Sequence, residues 1–227
     1  MSKNIVNKID DLVKVNTVLI SVSDKTGLAD FVPGLVKHNP KIRILSTGGT
    51  YKQIEKILGK KAEKVLTPVS EYTGQPETQG GLVKTLDFKI YLGLLTESHN
   101  PEHQKDLKRT NAVPIDMVVA NLYPFQQTIE SADVTPEKAR GNIDIGGPCM
   151  IRAAAKNFIR VASVVDPADY SMLLEELGSV ESMISLEMRV KLAKKAFLHT
   201  AAYDHAIANY LRETSFTDIQ QAYEEIL

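Results

Sequence analysis

Residues 17–59 read TVLISVSDKTGLADFVPGLVKHNPKIRILSTGGTYKQIEKILG, and their rhythm decides the fold. Thr17–Ser23 is a short run rich in β-branched residues, bounded by Ser23-Asp24-Lys25-Thr26-Gly27, and reads as a buried strand. An amphipathic segment from Leu28 to Lys37 follows and stops at His38-Asn39-Pro40. A second strand, Ile42–Leu45, leads into Ser46-Thr47-Gly48-Gly49-Thr50 and then a helix, Tyr51–Leu58, closed by Gly59. Strand, turn and helix recur in the same order. This is the pattern of a parallel sheet covered by helices.

Outward from this stretch the signals vary in strength. Residues 66–82, rich in Thr, Pro, Gly, Gln and Glu without a period, read as a loop, and a third strand is expected near Ile90–Leu95. Ile115–Leu122 is the clearest buried strand, ended by Tyr123-Pro124-Phe125. A helix is expected over Pro136–Arg140, and Gly146-Gly147-Pro148 opens another that runs through Ile151–Lys156. Val161–Val165 reads as a last strand, stopped by Asp166-Pro167; from Ala168 the pattern is helical, notably over Leu186–His199 and Thr200–Leu211. The expected organisation is one α/β domain over residues 1–170, with a helical extension over 171–227 packed on it.

Composition narrows the function. The chain has 227 residues, and 27 Lys and Arg against 28 Asp and Glu give a net charge of -1. That lacks the basic excess by which nucleic-acid binders release counterions. No apolar run approaches the ~20 residues that cross a bilayer, and the N-terminal MSKNIVNKIDDLVKVNT has no signal-peptide core. One cysteine, Cys149, excludes an intrachain disulfide and, with no histidine adjacent in sequence, reads as a small buried residue in preference to a catalytic thiolate; the five histidines show no metal spacing. The expectation is a cytoplasmic protein with no metal and neither a membrane nor a nucleic-acid partner.

Candidate chemistry lies at strand ends. Ser23–Gly27 and Thr47–Thr50 both follow strands and open helices, where free N–H groups and the helix dipole attract phosphate. Either loop alone reads as well as a cap; two at one sheet edge favour phosphate, with Lys25 adding charge. Asn121 and Tyr123 end the best strand, Tyr123 being either a phenol donor or a packed aromatic. Asp144 precedes the glycine turn and is an ordinary cap candidate. Lys156, after Ala153-Ala154-Ala155, is either a solvated charge or a partly desolvated acid–base group.

Taken together, Ser21–Gly27, Thr47–Thr50, Val83-Lys84-Thr85-Leu86, Ala120–Phe125, Ile143–Gly147, Arg152–Asn157 and Ala196–Asp204 closely resemble the IMP cyclohydrolase domain. That domain is the N-terminal half of the bifunctional purine-biosynthesis enzyme whose other half is AICAR formyltransferase. The resemblance implies a methylglyoxal synthase-like fold, a three-layer parallel sheet flanked by helices. It implies dehydrative closure of 5-formamidoimidazole-4-carboxamide ribonucleotide (FAICAR) to IMP without a cofactor, and a homodimer; it leaves open whether an AICAR formyltransferase binds as a separate chain.

Carried over by position, Ser23, Asp24, Lys25, Thr47, Gly48, Gly49 and Thr50 would hold the phosphate and ribose, with Val83, Lys84 and Thr85 in the same pocket. Asn121, Asp144 and Ile145 would contact the base. Lys156 would carry the proton, with Tyr123 and Asp144 as neighbours and Lys84 close to the reacting groups, so that Lys25, Lys84 and Lys156 converge. The family run Gly-Arg-Val-Lys-Thr-Leu-His-Pro is here Gly81-Leu82-Val83-Lys84-Thr85-Leu86-Asp87-Phe88, which removes an arginine and replaces a histidine by an acid. Two rival readings are a non-catalytic nucleotide-binding module and a methylglyoxal synthase-type lyase.

Overall fold

A computed structural model describes residues 5–76, 78 and 84–224. In chain order, β1 is Leu12–Lys14, β2 Thr17–Val22, α1 Leu28–His38, β3 Arg43–Ser46 and α2 Gly48–Leu58. Next come α3 (Ala62–Val65), β4 (Leu66–Pro68), α4 (Val69–Thr73), α5 (Phe88–Leu95) and α6 (Pro101–Thr110). Then follow β5 (Met117–Asn121), α7 (Phe125–Ile129), α8 (Pro136–Gly141), α9 (Gly146–Lys156) and β6 (Ala162–Val164). The chain closes with α10 (Tyr170–Ser179), β7 (Met183–Ser185), α11 (Leu186–Glu213) and α12 (Phe216–Gln221). Among the described residues no helix is long and apolar enough to cross a membrane.

The main sheet is parallel throughout, in the order β4-β3-β2-β5-β6. Its strands are apolar on both faces, as helices on both sides require. The two-residue strand period sorts them: Val18 and Ile20 join Met117 and Val119 in one core with α1 and α10. Leu19, Val118 and Ala120 join α5 and α9 in the other. Three layers result, as the α/β reading expected. The two helices read over Leu186–His199 and Thr200–Leu211 form one 28-residue helix, α11, which packs on α9 and β6.

Three expectations are corrected. Cys149, read as a small buried residue, is exposed. Ile90–Leu95 is helix, not strand: the Asp87 carboxylate accepts from the Lys89 amide and caps α5, and Ile90 and Leu94, one turn apart, share its buried face. Gly93 lets that helix press on its neighbour, since a Cβ there would lie 2.5 Å from the Val113 carbonyl oxygen. The loop read over 66–82 contains β4 and α4. A three-residue edge strand ending in Pro68 carries too short a pattern to read. The small antiparallel pair of β1 with β7 was likewise unread, because three-residue strands far apart in sequence leave no period.

One side chain fastens this second sheet. Arg189 is fully buried, and its guanidinium donates to the carbonyls of Asp10 (2.7 Å), Asp11 (3.1 Å), Phe158 (3.1 Å), Ile159 (3.2 Å) and Ile184. The N-terminal segment, the approach to β6 and the start of α11 are thereby held to one point.

Candidate active site

On one side of β2 lie β3 and β4, on the other β5 and β6, so the chain reverses direction across the sheet at β2. Such a switch point opens a crevice beyond the carboxyl ends of the strands. Here it is a cleft of about 460 Å³ that adjoins a second chamber of about 500 Å³, and Thr47, Gly48, Gly49 and Lys84 face both.

Hydroxyl and amide side chains set the floor. The Ser21 and Thr47 hydroxyls lie 2.9 Å apart. The Val22 amide donates to Thr50 Oγ1 at 3.1 Å and that hydroxyl donates back to the Val22 carbonyl at 3.0 Å, which fixes the start of α2 to the end of β2. Asn121 does the same for the loop after β2. Its Oδ1 accepts from the amides of Ser23 (2.7 Å) and Asp24 (2.8 Å), and its Nδ2 donates to the Asp24 carbonyl at 2.9 Å. One Nδ2 hydrogen remains for a ligand. Lys25 faces the cleft and donates to the Ser23 carbonyl at 3.2 Å.

The start of α2 is the anion-attracting wall. Thr47 makes no side-chain cap, which leaves the first N–H groups of an eleven-residue helix open to a ligand. Gly48 has φ +47°, and Lys84 Nζ lies 3.2 Å from where a Cβ on Gly48 would stand. Helix dipole and ammonium therefore act on the same space.

Opposite stands the turn before α9. The Gly147 amide donates to Asp144 Oδ1 at 2.9 Å, and burial pushes the Asp144 carboxyl above the ordinary carboxylate range. A Cβ on Gly147 would meet Asp144 Oδ2 at 2.5 Å, and one on Gly146 would meet Thr85 Oγ1 at 2.6 Å. The glycine pair is thus what admits the acid and Thr85 to the wall. Tyr123 and Ile145, 54% and 58% exposed, complete it. Positive potential at one end faces a desolvated carboxyl and a phenol at the other. Such a cleft can bind a phosphorylated molecule and exchange protons with its far end.

Not every expected residue is here. Val83 lies outside the described residues. Asp24 lines a neighbouring hollow with Asp166, Lys195 and His199, and Thr26 holds its carboxyl below the usual range by hydrogen bonding to it. Asp87, the acid in place of a histidine, is buried as the α5 cap and also accepts from Gln75 Nε2 at 2.7 Å. Lys156 is exposed at the far end of α9. Ten residues at 1.5 Å each place it about 15 Å from Gly146 along the helix axis. The next residue, Asn157, bonds the carbonyls of Leu94 and Thr96, below the opposite edge of the sheet. Lys25 and Lys84 share the cleft; Lys156 does not line it. Sequence reading passed over Ile143 and Met150 in the lining, although Met150 lies one helical turn after Gly146, the one signal that pointed to it.

Residues 27–149 match the MGS-like domain family. The chain belongs to that family. Residues 154–226 match a second one, the AICARFT/IMPCHase bienzyme. The chain is 47% identical over 200 residues to the bifunctional purine biosynthesis protein PurH of Lactiplantibacillus plantarum, covering 88% of this chain and 38% of that one. To PurH of Ruminiclostridium cellulolyticum it is 48% identical, with 88% and 37% covered. The chain therefore spans well under half the length of these curated relatives. The crystal structure of ForH superposes with a TM-score of 0.70 at 30% identity, covering 85% of this chain and 96% of ForH. Membership of the MGS-like family accords with the parallel sheet flanked by helices.

Proposed function

We propose that this chain is an IMP cyclohydrolase, closing FAICAR to IMP with loss of water at the end of purine biosynthesis. The observation that carries the proposal is the cleft itself: an α2 N-terminus and Lys84 facing Asp144 and Tyr123, in a chain about half identical to PurH proteins along most of its length.

On this reading the phosphate and ribose lie against Ser23, Lys25 and Thr47–Thr50, and the base reaches toward Asn121, Asp144 and Ile145. The carboxamide nitrogen attacks the formyl carbon, forming the new C–N bond while the formyl oxygen gains the electron pair. That oxygen is protonated, the attacking nitrogen loses one proton and the formamido nitrogen another, and the latter's electron pair forms the ring C=N bond as the C–O bond breaks and the former formyl oxygen leaves as water. Holding the two groups in contact is one large contribution to the rate, and donors at the developing oxyanion are the other. Lys84 and Tyr123 are the donors proposed for that oxygen, and Asp144 the group that exchanges protons. Asp24 and Asn121 act through the loop that presents Lys25.

Lys156 keeps the role of proton carrier only if it enters the cleft of a second copy, because its own cleft lies at the other edge of the sheet. The reading therefore carries a homodimer. Purified protein incubated with FAICAR is expected to develop the hypoxanthine absorbance of IMP. Absence of turnover at high substrate overturns the proposal.

A further inference from the structure

We infer that Tyr203, on α11, is a positioning residue for the cleft: its hydroxyl ties the Asn142–Asp144 turn to the C-terminal helix and so sets where Asp144 stands. The inference rests on the cyclohydrolase reading for its kinetic consequence, but its geometry is independent of that reading.

Three observations carry it. The Asp144 amide donates to Tyr203 Oη at 2.7 Å, and the same hydroxyl donates to the Asn142 carbonyl at 3.2 Å. One phenol thus satisfies a donor and an acceptor of a turn that is otherwise outside regular structure, from a residue 59 positions away. The ring is also fixed, 9% exposed and edge-on to Phe125 with centroids 6.1 Å apart, so the hydroxyl has little freedom to follow a wandering loop. Finally, the turn is held at its other end by the Gly147 amide on Asp144 Oδ1, which grips the side chain while Tyr203 grips the backbone. Asp144 is oriented from both sides, and one side belongs to a helix that does not line the cleft.

The consequence is that α11 acts on the cleft without touching a ligand. A group that orients a reacting residue in this way costs roughly 10- to 100-fold in activity when removed, because displacements of about 1 Å matter at the reacting atoms. Substrate held by its phosphate at α2 should feel the change less.

Tyr203→Phe keeps the ring and deletes both hydrogen bonds. With wild type turning over FAICAR, this variant is expected to lose roughly 10- to 100-fold in kcat with a smaller change in KM, while Tyr210→Phe, which removes another hydroxyl from the same helix, retains wild-type kinetics. Amide hydrogen exchange supplies the readout free of catalysis. The Asp144 amide should be protected in wild type and exchange faster in Tyr203→Phe, with Ala153–Ala155 unchanged. Unchanged kcat in Tyr203→Phe, or a wild-type Asp144 amide exchanging as an open loop does, overturns the inference. A wild type without turnover removes the cyclohydrolase reading and leaves the exchange result to decide the tie alone. If Tyr203→Phe fails to fold, wild-type exchange at Asp144 still decides it.

Discussion

Replacing Arg160 by methionine is expected to destabilise the protein by about 3–5 kcal/mol, the range for breaking a buried ion pair on one side. Arg160 and Asp116 have side chains only 6% and 9% exposed, with Nη1 and Oδ1 3.1 Å apart. The guanidinium also donates to the carbonyls of Thr96 (2.9 Å), Gly93 and Leu94 (3.4 Å). The carboxylate accepts from the amides of Asn16 and Thr17, both at 2.9 Å. Burial pushes the Asp116 carboxyl up while Arg160 and those two amides pull it down, and burial pushes the guanidinium down.

With the arginine gone, only burial and two amides act on the acid, and its folded pKa rises further above the unfolded value. The folded variant then holds more protons than the unfolded chain, so its stability falls as pH rises through the carboxylate range. Urea unfolding of Arg160→Met at pH 7 and in mild acid checks both points, with the larger loss expected at pH 7. Adding Asp116→Asn, which removes the stranded charge and keeps an acceptor, should recover part of the loss. Equal midpoints for Arg160→Met and wild type would show that the pair contributes nothing.

Lys84→Ala is expected to lower kcat/KM for FAICAR by roughly 10²–10³-fold, the effect of deleting one donor from a site that stabilises developing charge. The residue is exposed, so the fold should survive and thermal unfolding should move little. Lys84→Arg keeps the charge with a different shape and should fall between. Because Lys156 lies about ten residues along α9 from the cleft wall, its variant reports on something else. If Lys156→Ala is also inactive, mixing it with Lys84→Ala should restore activity, since a mixed dimer contains one cleft with its own Lys84 and the neighbour's Lys156. Two inactive variants that stay inactive after subunit exchange would contradict a contribution from a second copy, and an active Lys84→Ala would contradict the cleft chemistry.

How much of this was legible depended on how many residues repeat a pattern. β2 and β5 were readable because both faces are buried and turn residues bound each run. Phe88–Leu95 was not, because an apolar run of that length suits a buried helix as well as a strand, and the deciding signal was a single cap, Asp87. The turns that open onto the cleft were visible as glycines and hydroxyls at strand ends. The place of Lys156 was not, because its motif match says nothing of which edge of the sheet it occupies; counting helical rise from Gly146 supplies that. The departure at Asp87 turned out to be a helix cap, so its charge serves α5 and not the cleft. Tyr203 was invisible because its two partners lie across the fold.

The central claim is that a nucleotide monophosphate binds where α2, Lys84 and the Asp144 turn face one another. A crystal structure of the protein with IMP tests it most directly. The account predicts the phosphate within hydrogen-bond reach of the Thr47–Gly49 amides or the Lys25 and Lys84 ammonium groups, and the base beside Asp144 and Tyr123. IMP seated elsewhere, or no IMP at saturating concentration, would contradict it.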